Sequence, residues 1–223
     1  AMCDSIIVGN EWFRNYLRKN YDLDSTIIRN GVVTKKWIQG DSKRFQDNYG
    51  ISPGFCLFAG RLTLEKGPEF FVEIAENMPE YNFVMIGPNI TNETVLSLIK
   101  RQLPENLKCL GLLTGHNLVD CFAAADILIN PALSKFGGNV ILEAMASKTI
   151  PIVSVEDSND SSWFEPFVEG LTYQSNNLVN CLEQIRYAKK NPEIGLRAFG
   201  RILSEYDWSL IIKKYDQLYE SLI

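Results

Sequence analysis

Two cations lie close together in the stretch AGRLTLEKG, residues 59–67, which joins an apolar, strand-like run to a segment with helical spacing. Arg61 offers a planar fork of N–H donors and Lys66 a compact ammonium, so both can converge on one anion such as a diphosphate. Gly60 is expected to let the backbone turn tightly. Taken alone, two such cations are more often solvated surface charges. The stretch is neither a P-loop nor the dinucleotide pattern GxGxxG.

A second candidate region is SKFGGNVILEAMASKTIPIVS, residues 134–154. Gly137 and Gly138 carry no side chain, so a ligand can approach the backbone closely. The helix expected to follow them presents unpaired N–H groups to a phosphate or a hydroxyl. Glu143, a little over one turn into that helix, could accept hydrogen bonds from two ribose hydroxyls. The alternative is a glycine loop that only permits close packing, with Glu143 stabilising the helix start.

Short apolar runs alternate along the chain with longer segments of helical spacing. The predicted strands are 55–59, 82–86, 107–111, 127–130 and 150–154, and the predicted helices are 68–78, 92–103 and 117–125. This alternation predicts an α/β fold with a Rossmann-like open parallel sheet and helices on both faces. Such sheets bind ligands beyond the carboxyl ends of their strands, which is where both candidate regions lie.

The 223-residue chain is expected to hold one large domain and a fragment of a second. Residues 1–33 are predicted to be the terminal segment of an N-terminal domain, and the polar residues 34–54 to be a linker. Residues 55–205 form the predicted Rossmann-like domain. Residues 206–223 are predicted as a C-terminal amphipathic helix, whose apolar face needs a surface to pack on.

Composition excludes several classes of protein. A net charge of −5 argues against a nucleic-acid partner. Five cysteines, an odd number without close spacing, indicate reduced thiols and a cytoplasmic location. With a single histidine, His116, and no cysteine pair at metal spacing, no metal site is expected. No apolar run approaches the roughly 20 residues that span a bilayer.

Taken together, the two regions resemble a known family. The stretches FAGRLTLEKGPEFFVEIAENMPEYNFVMIGP and CFAAADILINPALSKFGGNVILEAMASKTIPIVS resemble the C-terminal half of glycosyltransferase family 4, and DSIIVGNEWFRNYL with the turn NGV resembles the end of its N-terminal domain. The resemblance covers nearly the whole chain. It implies the C-terminal half of a GT-B fold and a retaining transferase that uses a UDP-, GDP- or ADP-sugar without a metal or other cofactor.

The resemblance also implies roles for individual residues. Arg61 and Lys66 match the catalytic pair that holds the donor diphosphate. Glu143 matches the second glutamate of the family's E-x7-E motif, which binds the ribose beside Gly60. Leu113 matches a residue whose backbone contacts the nucleobase. The loop that holds the sugar and phosphates is matched by Lys135, Phe136, Gly137, Gly138, Asn139 and Val140.

The acceptor is expected to bind the N-terminal domain, of which this chain holds only the last segment. The resemblance therefore implies a piece of a longer enzyme, inactive alone, with a natural stand-alone donor-binding subunit as the alternative. The acceptor class, whether sugar, lipid or protein, stays open. Membrane contact is expected only in the full-length protein.

Two positions depart from the family pattern. Lys135 stands where the first glutamate of E-x7-E is expected, and a lysine can only donate to a sugar hydroxyl. Three explanations stay open. Lys135 binds an acid or another acceptor group on the donor sugar, or it helps hold the diphosphate. In the third, the protein is a non-catalytic nucleotide-sugar-binding or scaffolding module. Lys148 replaces an expected glycine, and the loop 154–162 is acidic and serine-rich rather than glycine-rich. An unrelated Rossmann-like epimerase or dehydrogenase is not favoured, because its phosphate loop is absent.

Overall fold

The computed structural model describes residues 3–132, 138–156 and 163–222. The first elements are β1 (Ile7–Val8), α1 (Glu11–Tyr21), β2 (Thr26–Ile27), α2 (Thr34–Trp37) and α3 (Ser42–Tyr49). The next are β3 (Phe55–Ala59), α4 (Pro68–Glu76), β4 (Phe83–Ile86), α5 (Asn92–Ile99), β5 (Leu107–Gly111), α6 (Gly115–Ala124) and β6 (Ala125–Asn130). The last are α7 (Asn139–Ala146), β7 (Ile150–Val155), β8 (Leu171–Gln174), α8 (Leu178–Lys190), α9 (Glu193–Arg201) and α10 (Trp208–Glu220).

Six parallel strands form an open sheet in the order β5-β4-β3-β6-β7-β8. The strand order reverses between β3 and β6, and this switch point is where open α/β sheets bind ligands. Alternate side chains of the central strands enter two separate cores, one on each face. Phe55 and Leu57 pack with α3, α6, α7 and α9, whereas Cys56 and Phe58 pack with α4, α5 and α8. The predicted α/β class with helices on both faces is therefore confirmed.

One strand of the sheet was not predicted from the sequence. β8 lies at the sheet edge beside β7, with Leu171 and Tyr173 buried. Its four residues alternate buried and more exposed positions, so it lacks the continuous apolar run that marks central strands such as β3 and β4.

Residues 34–54, predicted to be a linker, contain α2 and α3. Their aromatic side chains Trp37 and Phe45 are 3% and 0% exposed and belong to the core. Arg44 makes a bidentate ion pair with Asp120 of α6, and Asp41 caps the start of α3. These helices were not recognised in the sequence, because their exposed faces are charged and each helix buries only one or two residues.

The N-terminal piece and the C-terminal helix meet beside the main sheet. β1 and β2 pair in parallel as a separate two-stranded unit. A helical segment of π geometry, Ile202–Tyr206, leads into α10, and Val32 pairs with Asp207 at its start. Of the apolar face predicted for the C-terminal helix, Ile211 is buried, Leu210, Tyr215 and Leu218 are half-buried, and Leu222 is 45% exposed. Among the described residues, no helix combines the length and hydrophobicity needed to cross a bilayer.

Asp207 joins these two parts, and its removal should destabilise the fold. It accepts hydrogen bonds from the hydroxyl and backbone N–H of Ser209, at 2.5 and 2.9 Å, and from the backbone N–H of Thr34 at 3.3 Å. These bonds lower the pKa of Asp207 to about 2. Asp207→Ala should therefore lower the free energy of unfolding at pH 7 by about 1–2 kcal/mol in urea denaturation.

The stability lost in Asp207→Ala should depend on pH and become smaller in acid. A carboxyl whose pKa is depressed in the folded state stabilises the fold above its unfolded pKa and loses that contribution as pH falls through the folded pKa. The difference between wild type and Asp207→Ala should thus shrink between about pH 4 and pH 2. Asp216→Ala, on an exposed position of the same helix, is the matched control and should change stability by less than about 0.5 kcal/mol. An equal loss of unfolding free energy in Asp207→Ala and Asp216→Ala would contradict this role of Asp207.

Candidate functional site

A cleft of about 260 Å³ opens at the carboxyl ends of β3, β4 and β5, on the β3 side of the switch point. Its floor is made by the turns that follow these strands. Those turns contribute Gly60, Gly87, Pro88, Leu112 and Leu113. Leu113 is 8% exposed, and Leu112 stands out at the rim with 63% of its surface exposed.

The floor is held together by backbone contacts between neighbouring turns. Gly87 has φ of +151° and lies directly against the carbonyl of Gly60, so that a Cβ at position 87 would stand 1.7 Å from that oxygen. Its N–H donates to Gly111 at 2.9 Å, and the N–H of Gly60 donates to Ile86 at 3.0 Å. The turns after β3, β4 and β5 thus form one connected surface.

The position that excludes a side chain is Gly87, whereas the sequence had indicated Gly60. Gly60 does not have a left-handed backbone, and a Cβ there would meet only the Phe58 ring at 3.8 Å. The close approach that excludes a side chain occurs at Gly87 instead. The backbone does bend at Gly60, which lines the cleft, but the described residues leave room for a side chain there.

Helices α6 and α7 form the wall of the cleft. They contribute Leu118 and Phe122, and Val140 and Glu143, respectively. Burial raises the pKa of the Glu143 carboxyl above its usual range, and the positive charge of Lys36 acts in the opposite direction. Glu143 is therefore an acidic group facing an otherwise apolar cleft, where it is suited to accept hydrogen bonds from a polar ligand.

The start of α7 adjoins the cleft. Gly138 is its N-cap residue, no side chain caps the helix there, and Val140 in its first turn lines the cleft. Within the described part of the chain, a Cβ on Gly138 would meet nothing closer than Val140 Cγ1 at 3.8 Å. Close packing against the described residues therefore does not explain this glycine. Asn139 accepts a hydrogen bond from Asn30 Nδ2 at 3.0 Å.

The two predicted cations stand beside the cleft rather than in its lining. Arg61 follows Gly60, is exposed, and lies 3.8 Å from the carboxylate of Glu65. Lys66 is half-buried on the single turn Leu64–Lys66. The next residue, Gly67, has φ of +65°, and a Cβ there would lie 2.9 Å from the carbonyl of Pro131, so this loop is seated against the end of β6.

The structure thus brings four predicted residues into one cleft, namely Gly60, Leu113, Val140 and Glu143. Gly138 and Asn139 lie at the adjoining helix start. Lys135, Phe136 and Gly137 lie outside the described residues.

Sequence reasoning did not identify several further lining residues. Among them are Gly87 and Pro88 on the floor and Leu118 and Phe122 on the wall. A Gly-Pro pair directly after a buried strand is a turn signal at the ligand-binding edge and could have indicated the first two. The other two occur in a helical pattern that looks like ordinary core, so nothing in the sequence marked them.

Curated relatives share this region. A processive diacylglycerol alpha-glucosyltransferase of Acholeplasma laidlawii is 29% identical over 162 residues, which cover 69% of this chain and 48% of the relative. The chain therefore spans about half the length of that relative.

Solved structures share the fold. A sucrose-phosphate synthase from Thermosynechococcus elongatus superposes with a TM-score of 0.85 at 20% identity, covering 99% of this chain and 59% of that one. The Anabaena HepE protein, solved with UDP-glucose, gives a TM-score of 0.78 at 15% identity, covering 99% and 64%. These likenesses establish a Rossmann-like half of a GT-B fold.

The model of one protein family, described as glycosyl transferases group 1, matches residues 41–213. The match includes the whole six-stranded sheet and every described residue that lines the cleft. This chain belongs to the group 1 glycosyl transferases.

Proposed function

We propose that this chain is the donor-binding part of a retaining glycosyltransferase that uses a nucleotide-diphosphate sugar. One observation carries the proposal: residues from the two sequence regions, Gly60 and Glu143, line a single cleft at the carboxyl edge of the sheet. Membership of the family supports transfer over a non-catalytic binding or scaffolding role. The acceptor would be held by a part of the full-length protein that this chain does not include.

Different parts of the cleft would bind different parts of the donor. The base lies on the apolar floor against Leu113, and the carboxylate of Glu143 accepts hydrogen bonds from the ribose diol. The diphosphate then extends toward the uncapped start of α7, whose N–H groups and partial positive charge favour an anion. Arg61 and Lys66 close on the diphosphate from the neighbouring loop.

The chemistry that follows is electrostatic. As the bond between the sugar and the diphosphate breaks, negative charge grows on the leaving group, and the two cations and the helix start stabilise it. The acceptor attacks from the same face that the diphosphate leaves, which gives retention. We propose that no metal takes part. From the sequence alone, Lys135 binds the diphosphate or an acid or another acceptor group on the sugar.

Calorimetric titration of UDP, GDP and ADP into the chain tests the proposal. We expect at least one to bind, and Glu143→Gln to weaken that binding about tenfold because the neutral amide no longer offers a charged acceptor. Pyrophosphate, which lacks the ribose, should bind both proteins equally. No detectable binding of any of the three nucleotides at millimolar concentration would overturn the proposal.

Gly138→Ala separates a ligand role from a structural one. The described residues leave room for the methyl group, so the free energy of unfolding should fall by less than about 1 kcal/mol. Affinity for UDP-glucose should fall about tenfold or more, because the methyl group stands where the sugar and phosphates approach the backbone. Gly200→Ala, in α9, where a Cβ meets no described atom within 4 Å, is the control and should leave affinity unchanged. Unchanged affinity in Gly138→Ala would remove this residue from the site.

A further inference from the structure

The stretch that leads out of the N-terminal piece passes beside the start of α7. It contains Asn30, whose side-chain Nδ2 donates to Oδ1 of Asn139 at 3.0 Å. Asn139 is the first residue of α7, between the N-cap residue Gly138 and Val140, which lines the cleft. The two asparagines are 109 positions apart in the sequence, so only the packing of the chain brings them together.

The backbone that carries Asn30 is held by the two residues that follow it. Gly31 packs so closely that a Cβ there would lie 3.0 Å from the carbonyl oxygen of Tyr206. The N–H of Val32 donates to that same carbonyl at 2.8 Å, and the carbonyl of Val32 accepts from the N–H of Trp208 at 3.1 Å. The side-chain amide of Asn30 therefore reaches the start of α7 from a segment that is fixed in place.

The hydrogen-bonding groups at the start of α7 are divided by this contact. Within the described chain, the backbone N–H groups of Asn139 and Val140 have no partner, and neither has the side-chain Nδ2 of Asn139. The side-chain acceptor of Asn139, Oδ1, is engaged by Asn30. An anion that approaches this end of the helix therefore meets free donors and a partial positive charge.

Without Asn30, the side chain of Asn139 would compete with such an anion. An asparagine oxygen readily accepts hydrogen bonds from nearby backbone N–H groups, which would then be lost to a ligand. An oxygen turned toward the ligand would instead repel a phosphate, since both carry negative charge. The hydrogen bond from Asn30 disfavours both arrangements.

We propose that Asn30 is a positioning residue of the donor site, which holds the side-chain oxygen of Asn139 away from the diphosphate and so leaves only hydrogen-bond donors to face it. This inference rests on the proposed function of the cleft, in which the diphosphate lies at the start of α7. Asn30 acts through Asn139 and not by touching the donor. The N-terminal piece thus takes part in binding the phosphates.

The experiment compares variants of the two asparagines with wild type by calorimetry. Asn30→Ala removes the side-chain donor, Asn30→Leu removes it and keeps the volume, and Asn139→Ala removes its acceptor. The double variant combines Asn30→Ala with Asn139→Ala. Asn48→Ala, at an exposed asparagine on α3, is the matched control. The probes are whichever of UDP, GDP and ADP binds most tightly, the corresponding nucleoside, and pyrophosphate.

We expect Asn30→Ala and Asn30→Leu to weaken the binding of the diphosphate and of pyrophosphate about three- to tenfold, as the loss of one hydrogen bond does. Nucleoside affinity should stay within about twofold of wild type, because the nucleoside has no phosphate to meet α7. The double variant should bind no more weakly than Asn139→Ala alone, since Asn30 acts only through Asn139. Asn48→Ala should behave like wild type with all three probes.

A second measurement needs no ligand. The side-chain amide resonances of Asn30 in an NMR spectrum should shift in Asn139→Ala and stay in place in Asn48→Ala. Shifted resonances without binding of any nucleotide or of pyrophosphate would count against the proposed function. Binding with unshifted resonances would count against the role of Asn30.

Three binding results would also overturn the inference. The first is a diphosphate affinity equal to that of wild type in Asn30→Ala or in Asn30→Leu. The second is a loss that extends to the nucleoside, which would indicate a distorted cleft. The third is a further loss in the double variant relative to Asn139→Ala, which would show that Asn30 acts by another route.

Discussion

Gly87→Ala is expected to lower the free energy of unfolding by about 3 kcal/mol or more and to abolish measurable nucleotide binding. The added Cβ would stand 1.7 Å from the carbonyl oxygen of Gly60, in a backbone conformation with φ of +151° that side chains rarely adopt. The contact is backbone against backbone, so no rotamer change can relieve it. Either the turn after β3 or the turn after β4 must move, and both form the floor of the cleft. Urea denaturation and calorimetric titration of UDP, GDP and ADP measure the two losses.

Gly60→Ala provides the matched control from the other side of the same contact. Its Cβ would meet only the Phe58 ring at 3.8 Å, so stability should fall by less than about 1 kcal/mol. A Gly87→Ala protein that is as stable as the Gly60→Ala protein would show that the two turns are not packed as described. A stable Gly87→Ala protein that still binds nucleotide would also remove this contact from the site.

The central strands β3 and β4 were predicted from FCLFA and FVMI, continuous apolar runs typical of strands buried on both faces of a parallel sheet. The edge strand β5 was also predicted, from LKCLG, although Lys108 interrupts its apolar run. The strand at the opposite edge, β8, was not predicted, because LTYQ has only two buried positions in four residues. α2 and α3 were not predicted either, because their few buried side chains, Trp37 and Phe45, are spaced too far apart to show a helical period.

The candidate site was predictable in its location and less so in its details. Both regions follow strands, so the parallel sheet necessarily brings them to one edge, and Gly60 and Glu143 do meet there. Which glycine needs its missing side chain depends on how neighbouring turns touch, and that contact joins Gly87 and Gly60 across 27 positions of sequence.

Lys66→Met should weaken the binding of the preferred nucleoside diphosphate about 10- to 100-fold. Lys66 is half-buried on a turn whose next residue, Gly67, packs against Pro131 at the end of β6, so the backbone that carries Lys66 is held in place. Losing a charged donor to a phosphate removes about 1.5–3 kcal/mol of binding free energy. Arg61→Ala should have a smaller effect, because Arg61 is exposed and already lies 3.8 Å from Glu65, which competes with the phosphates.

The corresponding nucleoside, titrated by calorimetry beside the diphosphate, shows whether these cations act on the phosphates. Lys66→Met should leave nucleoside affinity within about twofold of wild type, since the nucleoside carries no anion for Lys66 to bind. Lys190→Ala, an exposed lysine at the end of α8, is the control for the overall charge and should change neither affinity. Equal losses for nucleoside and diphosphate in Lys66→Met would indicate a distorted cleft, and no loss for either would make Lys66 an ordinary surface charge. A selective loss for the diphosphate is the result expected if the loop 61–66 and the start of α7 enclose the two phosphates between them.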